Sequence, residues 1–312
     1  MNLPQVSVVM SVYNGASSLP STLQSVLNQE GCDLEFIVIN DGSSDGSEPL
    51  LDAWASRDAR LRVIHQANTG LTRALMRGCA EARGEFIARQ DCGDVSLPGR
   101  LASQAALLQS SPGLAMVASG ARFLGPLGEC LYEVIRSENT LHEGLSALAV
   151  NRIKGPPHHG GTMFRRSAYL AAGGYRAPFV VAQDIDLWLR LAERGRCWGQ
   201  AEVFYEASVE PGSISNRWRS RQFQLATLAI DCAIERRADR SDKPLLEAFT
   251  VLPKPIVSPS QPDLLSEEKA RFFYFVGCCL RASNRTAARQ YFRQAATAKP
   301  RFLRAWVRSF LG

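Results

Sequence analysis

The chain has 312 residues, 46% of them apolar and 21% charged, with a formal net charge of +6. That composition excludes a disordered or fibrous protein and is long enough for one large core plus an appendage. No run approaches the ~20 consecutive apolar residues of a membrane span, and the start Met1-Asn2-Leu3-Pro4-Gln5 lacks a signal-peptide pattern. The eight cysteines form no CxxC pair, which fits a reducing cytosol.

In chain order, Val6–Val12 reads as a buried strand, with a helix over Leu19–Leu27. Strands follow at Leu34–Ile39, Leu61–Ile64 and Phe86–Ala88. The helices between them lie around Pro49–Ala55 and Leu71–Ala82, and Leu101–Leu108 supplies the next. Short apolar strands between helices predict an α/β fold whose mostly parallel, Rossmann-type sheet is covered on both faces. After residue 112 the alternation weakens, and we expect short strand pieces at Leu114–Ala118 and Ala121–Leu124. Further on come a helix over Thr140–Val150, a strand at Gly161–Phe164, a helix over Ile185–Ala192 and a strand at Cys197–Tyr205. These predict a domain over 1–212, with a nucleotide-binding half (1–110) and an acceptor half (111–212). A helical segment at 213–238 is a candidate cover for the site. Five prolines mark 239–263 as a linker, and 264–312 as a basic helical tail with one tetratricopeptide-like helix pair. One such pair cannot bury its own face, so it must cap the main domain or meet another subunit.

Charge is uneven. From Glu267 onward there are ten Lys/Arg against two acids, so the rest of the chain is slightly acidic. The tail is either a solvated helical face or a contact for an anionic membrane surface. No aromatic platform accompanies these charges, which argues against nucleic acid.

Four acids carry the chemistry. Asp41 ends one apolar run, Asp91 and Asp94 end another, and Asp184 follows much later. Acids at strand ends sit on the sheet edge where open α/β folds bind ligands. A pair there can hold a nucleotide and a cation, and a distant acid can act as a base.

The motifs, taken in order, resemble family 2 glycosyltransferases of the GT-A fold. They are Val6-Ser7-Val8-Val9-Met10-Ser11-Val12-Tyr13-Asn14, Asn40-Asp41-Gly42-Ser43-Ser44-Asp45-Gly46, Gln66-Ala67-Asn68-Thr69-Gly70, and Asp91-Cys92-Gly93-Asp94 followed by Leu97-Pro98-Gly99-Arg100-Leu101. His159-Gly160 and Gln183-Asp184-Ile185-Asp186-Leu187-Trp188 complete the set. The resemblance covers about residues 5–205. It implies a nucleotide-sugar donor, UDP-linked, with Val12, Tyr13, Asn14, Asp41, Asn68, Gly70 and Asp91 around the nucleotide. It implies Mn²⁺ or Mg²⁺ on Asp94 with Asp91, and Asp184 as the base of an inverting transfer. The acceptor would be a saccharide or lipid-linked, and the setting cytoplasmic or at the inner membrane face. His159, Arg217, Arg219 and Trp188 are candidates for the acceptor or diphosphate region, with Arg89 and Arg221 as further phosphate contacts.

Two departures stand out. Gly93 replaces an acid of the metal motif, and Gln183 replaces the Glu before the base. Other readings stay open: a nucleotidyltransferase, or a binding protein that has lost catalysis. Asp186 reads as a helix cap or a partner of Arg190. His158-His159 read as loop-shaping residues, and Trp188 as core.

Overall fold

The computed structural model describes residues 3–149, 152–210, 219–250 and 262–311, with backbone alone at 219, 220, 250, 262–265 and 311. It divides into two compact units, 1–121 with 134–207 and 221–251, and 122–133 with 208–220 and 252–312. These cut across the expected boundaries, because residues distant in the chain pack together.

In the first unit, β1 (Val6–Val12) pairs in parallel with β2 (Leu34–Asp41) on one side and β4 (Phe86–Arg89) on the other. β3 (Leu61–Gln66) lies outside β2. Alternate residues of β1 serve opposite faces. Val6, Val8, Met10 and Val12 pack with Leu19, Leu23 and Val26 of α1 (Leu19–Leu27), while Val9 packs with Ala74 and Leu75 of α3 (Leu71–Ala80). Burial on both sides is why these strands read as unbroken apolar runs. α2 (Ser47–Ala55) connects β2 to β3, and β5 (Val95–Ser96) precedes α4 (Arg100–Ser110).

The rest of the sheet is mixed. Its order is β3-β2-β1-β4-β8-β6-β9-β5, with β7 (Cys130–Val134) on β6 (Leu114–Leu124). β8 (Thr162–Arg165) is antiparallel to β4, and β9 (Arg196–Ser208) is antiparallel to β5. The two strand pieces expected at 114–124 are therefore one continuous strand. α5 (Thr140–Ser146) is shorter than expected, and α6 (Arg166–Ala171) follows β8 directly.

Helix α7 (Gln183–Ala192) is locked by a charge network with α8 (Arg219–Arg237). Asp186, 1% exposed, is gripped by Arg190 one turn on and by Arg176. Arg176 reaches Asp242 at 2.6 Å, Asp242 pairs with Arg236 at 2.6 Å, and Arg236 holds Glu193 at 2.7 Å. Asp242 stands just before α9 (Lys243–Thr250), so part of the expected linker is helical. Residues 251–261 of that stretch lie outside the described residues.

The second unit holds α10 (Pro262–Leu280), α11 (Arg285–Ala298) and α12 (Leu303–Leu311). The Asn284 side chain caps α11 by accepting the Ala287 N–H at 3.1 Å. Phe272, Val276, Leu280, Ala288, Tyr291 and Phe292 form its core with Leu131 of β7. Tyr291 donates to Glu129 at 2.8 Å. The helix pair thus covers residues that the sequence had assigned to the acceptor half.

Replacing Asp186 with Ala removes the carboxylate that Arg176 and Arg190 share, leaving Arg176 with Asp242 and Arg190 with the Ala172 and Gly174 carbonyls, and we expect a loss of about 3 kcal/mol. Urea denaturation of the Asp186→Ala protein checks this, and an unchanged midpoint would mean that the network contributes nothing to stability.

Candidate active site

The loops after β1, β2 and β3 are laced together at the carboxyl edge of the sheet. Asn14, at φ 54°, donates its N–H to Ser43 Oγ at 3.0 Å and accepts the Ser44 N–H on Oδ1 at 2.8 Å. Ala16 N–H donates to Asp45 Oδ2 at 2.9 Å. Asp41, 2% exposed, accepts from Gln66 Nε2 (2.6 Å), Thr69 N–H (2.9 Å) and Gly70 N–H (2.8 Å). Asp41 is therefore committed to holding the Asn68-Thr69-Gly70 loop. Gly70 turns its N–H inward, and its open Cα side faces empty space. Val12 is buried, while Tyr13 is 57% exposed beside these loops.

The second group is built where antiparallel strands enter this edge. β8 runs against β4, so His158 and His159, just before it, arrive beside Asp91, just after β4. Likewise Tyr205 of β9 sits opposite Ser96. One ligand atom from each of Asp91, Asp94 and His158 lies within 4.8 Å of the others. His158 Nδ1 is 3.9 Å from Asp91 Oδ2 and 3.7 Å from Asp94 Oδ2. Two carboxylates and an imidazole could hold a divalent metal ion. Gly93, at φ +97°, supplies a left-handed turn that an acid side chain would adopt only under strain. The missing acid thus permits the bend that leads to Asp94, and His158 completes the trio.

Tyr205 organises all three. Its hydroxyl donates to Asp94 Oδ2 at 2.9 Å and accepts the Asp91 N–H at 3.1 Å. Its ring stacks on His158, centroids 5.2 Å apart, and lies under the Arg100 guanidinium at 5.1 Å. Gly160 makes room for it, since a Cβ there would stand 1.9 Å from the hydroxyl oxygen.

Beneath the acids lie two fully buried arginines. Arg89 donates to Asp91 Oδ1 at 2.7 Å and to the Val9 carbonyl. This overturns the expectation that Arg89 contacts phosphate: it is sealed under the site. Burial disfavours charge on Asp91, but Arg89 above all, with His158 and Arg100 nearby, outweighs it and holds the carboxyl below its ordinary value. Arg100 donates to Ser96 Oγ (2.6 Å), Gln90 Oε1 (3.1 Å) and the Arg89 carbonyl (2.7 Å). Burial lowers its pKa to about 10.

His159 and Trp188 are 8% and 7% exposed and partner each other. Trp188 Nε1–H donates to His159 Nδ1 at 3.1 Å, which leaves the proton on Nε2 to face the Tyr175 hydroxyl at 2.6 Å. Burial lowers the His159 pKa to about 3. His159 is thus a neutral structural imidazole and Trp188 its anchor, and neither lines an open acceptor or diphosphate region. The sequence singled out His159, which is buried, and gave no sign of Tyr205 or of His158 beside the two acids.

Asp184 opens α7, preceded by Ala182 at φ 57°, a conformation unusual for a residue with a Cβ. It is half-buried, with Oδ1 accepting the Ile185 N–H at 2.9 Å. Burial raises its pKa, and His158 and Asp91 lie near enough for their charges to act on it. Arg217 lies outside the described residues, as does the side chain of Arg219, and Arg221 lies over the Phe249 ring at 4.5 Å.

A parallel β3-β2-β1-β4 half with acids at its carboxyl edge, joined to antiparallel strands with the Asp184-bearing helix α7 between β8 and β9, is the GT-A architecture of glycosyltransferases. Residues 7–170 match the family described as "Glycosyl transferase family 2". A "Putative glycosyltransferase EpsE" of Bacillus subtilis (strain 168) is 32% identical over 257 residues, 79% of this chain and 90% of that protein. The "Amylovoran biosynthesis glycosyltransferase AmsE" of Erwinia amylovora is 28% identical over 193 residues, 61% of this chain and 70% of its own. Among solved structures, S. aureus TarS 1-349 in complex with UDP-GlcNAc aligns with a TM-score of 0.56 at 13% identity, covering 94% of this chain and 88% of that one. The mannosyltransferase PcManGT from Pyrobaculum calidifontis, in complex with GDP-Man and Mn²⁺, aligns at 0.57 and 19% identity, covering 99% and 85%. The chain belongs to glycosyl transferase family 2 and is a glycosyltransferase rather than a nucleotidyltransferase.

Tyr205→Phe keeps the ring but removes the hydroxyl's hydrogen bonds to Asp94, Asp91 and Gln90. We expect the fold to persist and Mn²⁺ affinity to weaken about tenfold or more. Calorimetric titration of metal into the variant tests this, and wild-type affinity would show that the hydroxyl does not position the acids.

Proposed function

We infer that this glycosyltransferase transfers one sugar from a nucleoside-diphosphate donor to a hydroxyl of a saccharide or lipid-linked acceptor, inverting the anomeric carbon. The arrangement that carries this reading is the Asp91, Asp94 and His158 group, with a half-buried Asp184 near enough for the charges of His158 and Asp91 to act on it. Ionised Asp184 takes the proton of the acceptor hydroxyl as that oxygen attacks the anomeric carbon. The bond from that carbon to the diphosphate oxygen breaks on the opposite face, so no covalent enzyme intermediate forms. Asp91, Asp94 and His158 would hold the divalent cation, which supplies countercharge to the departing diphosphate.

The loops carrying Val12, Tyr13, Asn14, Asp41, Asn68 and Gly70 would receive the nucleoside. Asp41 acts there by shaping the Thr69-Gly70 turn, and exposed Tyr13 offers a flat surface to a base. The resemblance of these loops favours UDP, while the structural neighbours bind UDP-GlcNAc in one case and GDP-Man in the other. A hydrolysis screen over UDP- and GDP-sugars, read by mass spectrometry, decides between them. Turnover of GDP-sugars alone would remove the UDP reading.

Asp184→Asn should keep donor binding and lower transfer by about 10²–10⁴-fold, the usual range for a general base. Near-normal turnover would remove the assignment. Because burial raises the Asp184 pKa and the base must be ionised, activity should fall as pH drops through a value above the ordinary ~3.9. His158 opposes that shift and Asp91 reinforces it. The acid limb of the kcat profile measures it, and a limb at or below the ordinary value would point to a different base.

For Asp94→Ala we expect loss of metal-stimulated nucleotide binding in titrations with and without Mn²⁺. An unchanged metal response would move the ligand role elsewhere.

A further inference from the structure

The outward side of α12 is apolar where a surface helix is normally polar. Leu303, Trp306, Val307 and Phe310 are 73%, 39%, 54% and 71% exposed. Their spacing of three, four and seven residues places them on one arc of roughly 100°. The opposite side is already used: Ala305 and Ser309 are buried, and Ala305 packs with Ala295, Ala296 and Phe302. The stripe is therefore not the face that holds α12 to its own unit. Trp306 and Phe310 stack at 6.4 Å, and the indole N–H is satisfied by the Pro300 carbonyl at 3.1 Å. The indole can leave water without stranding its donor.

Charge identifies what covers the stripe. From Lys269 onward the chain has ten Lys/Arg and no acid. Arg301 and Arg304 are exposed, and Arg304 borders the apolar arc. A second copy meeting this face by two-fold symmetry would bring like charges together around the contact. An anionic lipid surface meets both demands at once, taking the apolar side chains below its headgroups and pairing the arginines with phosphates. We propose that the outward face of α12, with Arg301 and Arg304, docks on an anionic membrane surface.

The test is co-sedimentation of the full chain with vesicles of phosphatidylcholine, with or without phosphatidylglycerol. Binding to the anionic vesicles, weakened by salt and absent from neutral ones, is expected. The double variant Leu303→Glu with Phe310→Glu alters two outward side chains and should lower binding about tenfold or more. Arg301→Gln with Arg304→Gln, which keeps the stripe, should also weaken it and reduce its salt dependence. Circular dichroism checks that both variants keep their helices. Three outcomes would overturn the proposal: no vesicle binding by the unaltered chain, binding independent of lipid charge, or wild-type binding by both variants. So would a dimer that the Leu303→Glu, Phe310→Glu variant dissociates while vesicles remain unbound. The readout is independent of catalysis, so it stands or falls apart from the assignment of Asp184.

Discussion

Two carboxylates kept close together above a dry floor set the terms for the rest of this site. Asp91 and Asp94 bring oxygens within 4.8 Å of each other and of His158. At an effective dielectric of about 20, two full charges at that spacing repel by about 3–4 kcal/mol. Arg89 and Arg100, both without solvent exposure, stand under them and offset that repulsion. Each arginine carries its own desolvation cost, met by backbone carbonyls, Gln90, Ser96 and the Tyr205 ring.

Topology explains how residues so far apart reach this place. In a purely parallel sheet each strand contributes the loop that leaves its carboxyl end. β8 and β9 run the other way along their partners β4 and β5, so the residues flanking them meet loops from the first hundred residues. His158 therefore meets Asp91, and Tyr205 meets Asp94 across 111 positions of sequence. The mixed half of the sheet completes a site that the parallel half begins.

This also decides what was legible in advance. The strands around β1 were readable because burial on both faces leaves continuous apolar runs, and Asp41, Asp91 and Asp94 followed as their end residues. Choosing between His158 and His159 was not possible locally. His158 has extended backbone, φ −147° and ψ 142°, so neighbouring side chains point opposite ways. Trp188 and Tyr175, from elsewhere, claim His159 for the core. Tyr205 resembled any aromatic in a strand, and Arg89 resembled a surface cation until the Val9 carbonyl and Asp91 were placed beside it. The prolines at 239–263 suggested a linker, yet Pro244 sits in the first turn of α9, where proline costs no hydrogen bond.

Asp184 and Asp186 show how environment separates two identical side chains two residues apart. Such positions on a helix differ by about 200° in direction, so one must face away from whatever the other meets. Asp186 turns into the first unit, where Arg176 and Arg190 hold both oxygens and fix the rotation of α7. A carboxylate gripped in that way has no proton-accepting role. Asp184 is directed to the other side, and among the described residues its hydrogen bond from Ile185 falls on Oδ1. Among the described residues no arginine pairs with Asp184 and burial raises its basicity, whereas Arg89 lowers that of Asp91. The charge network behind α7 thus supports the base assignment from a distance, by holding the helix that aims Asp184.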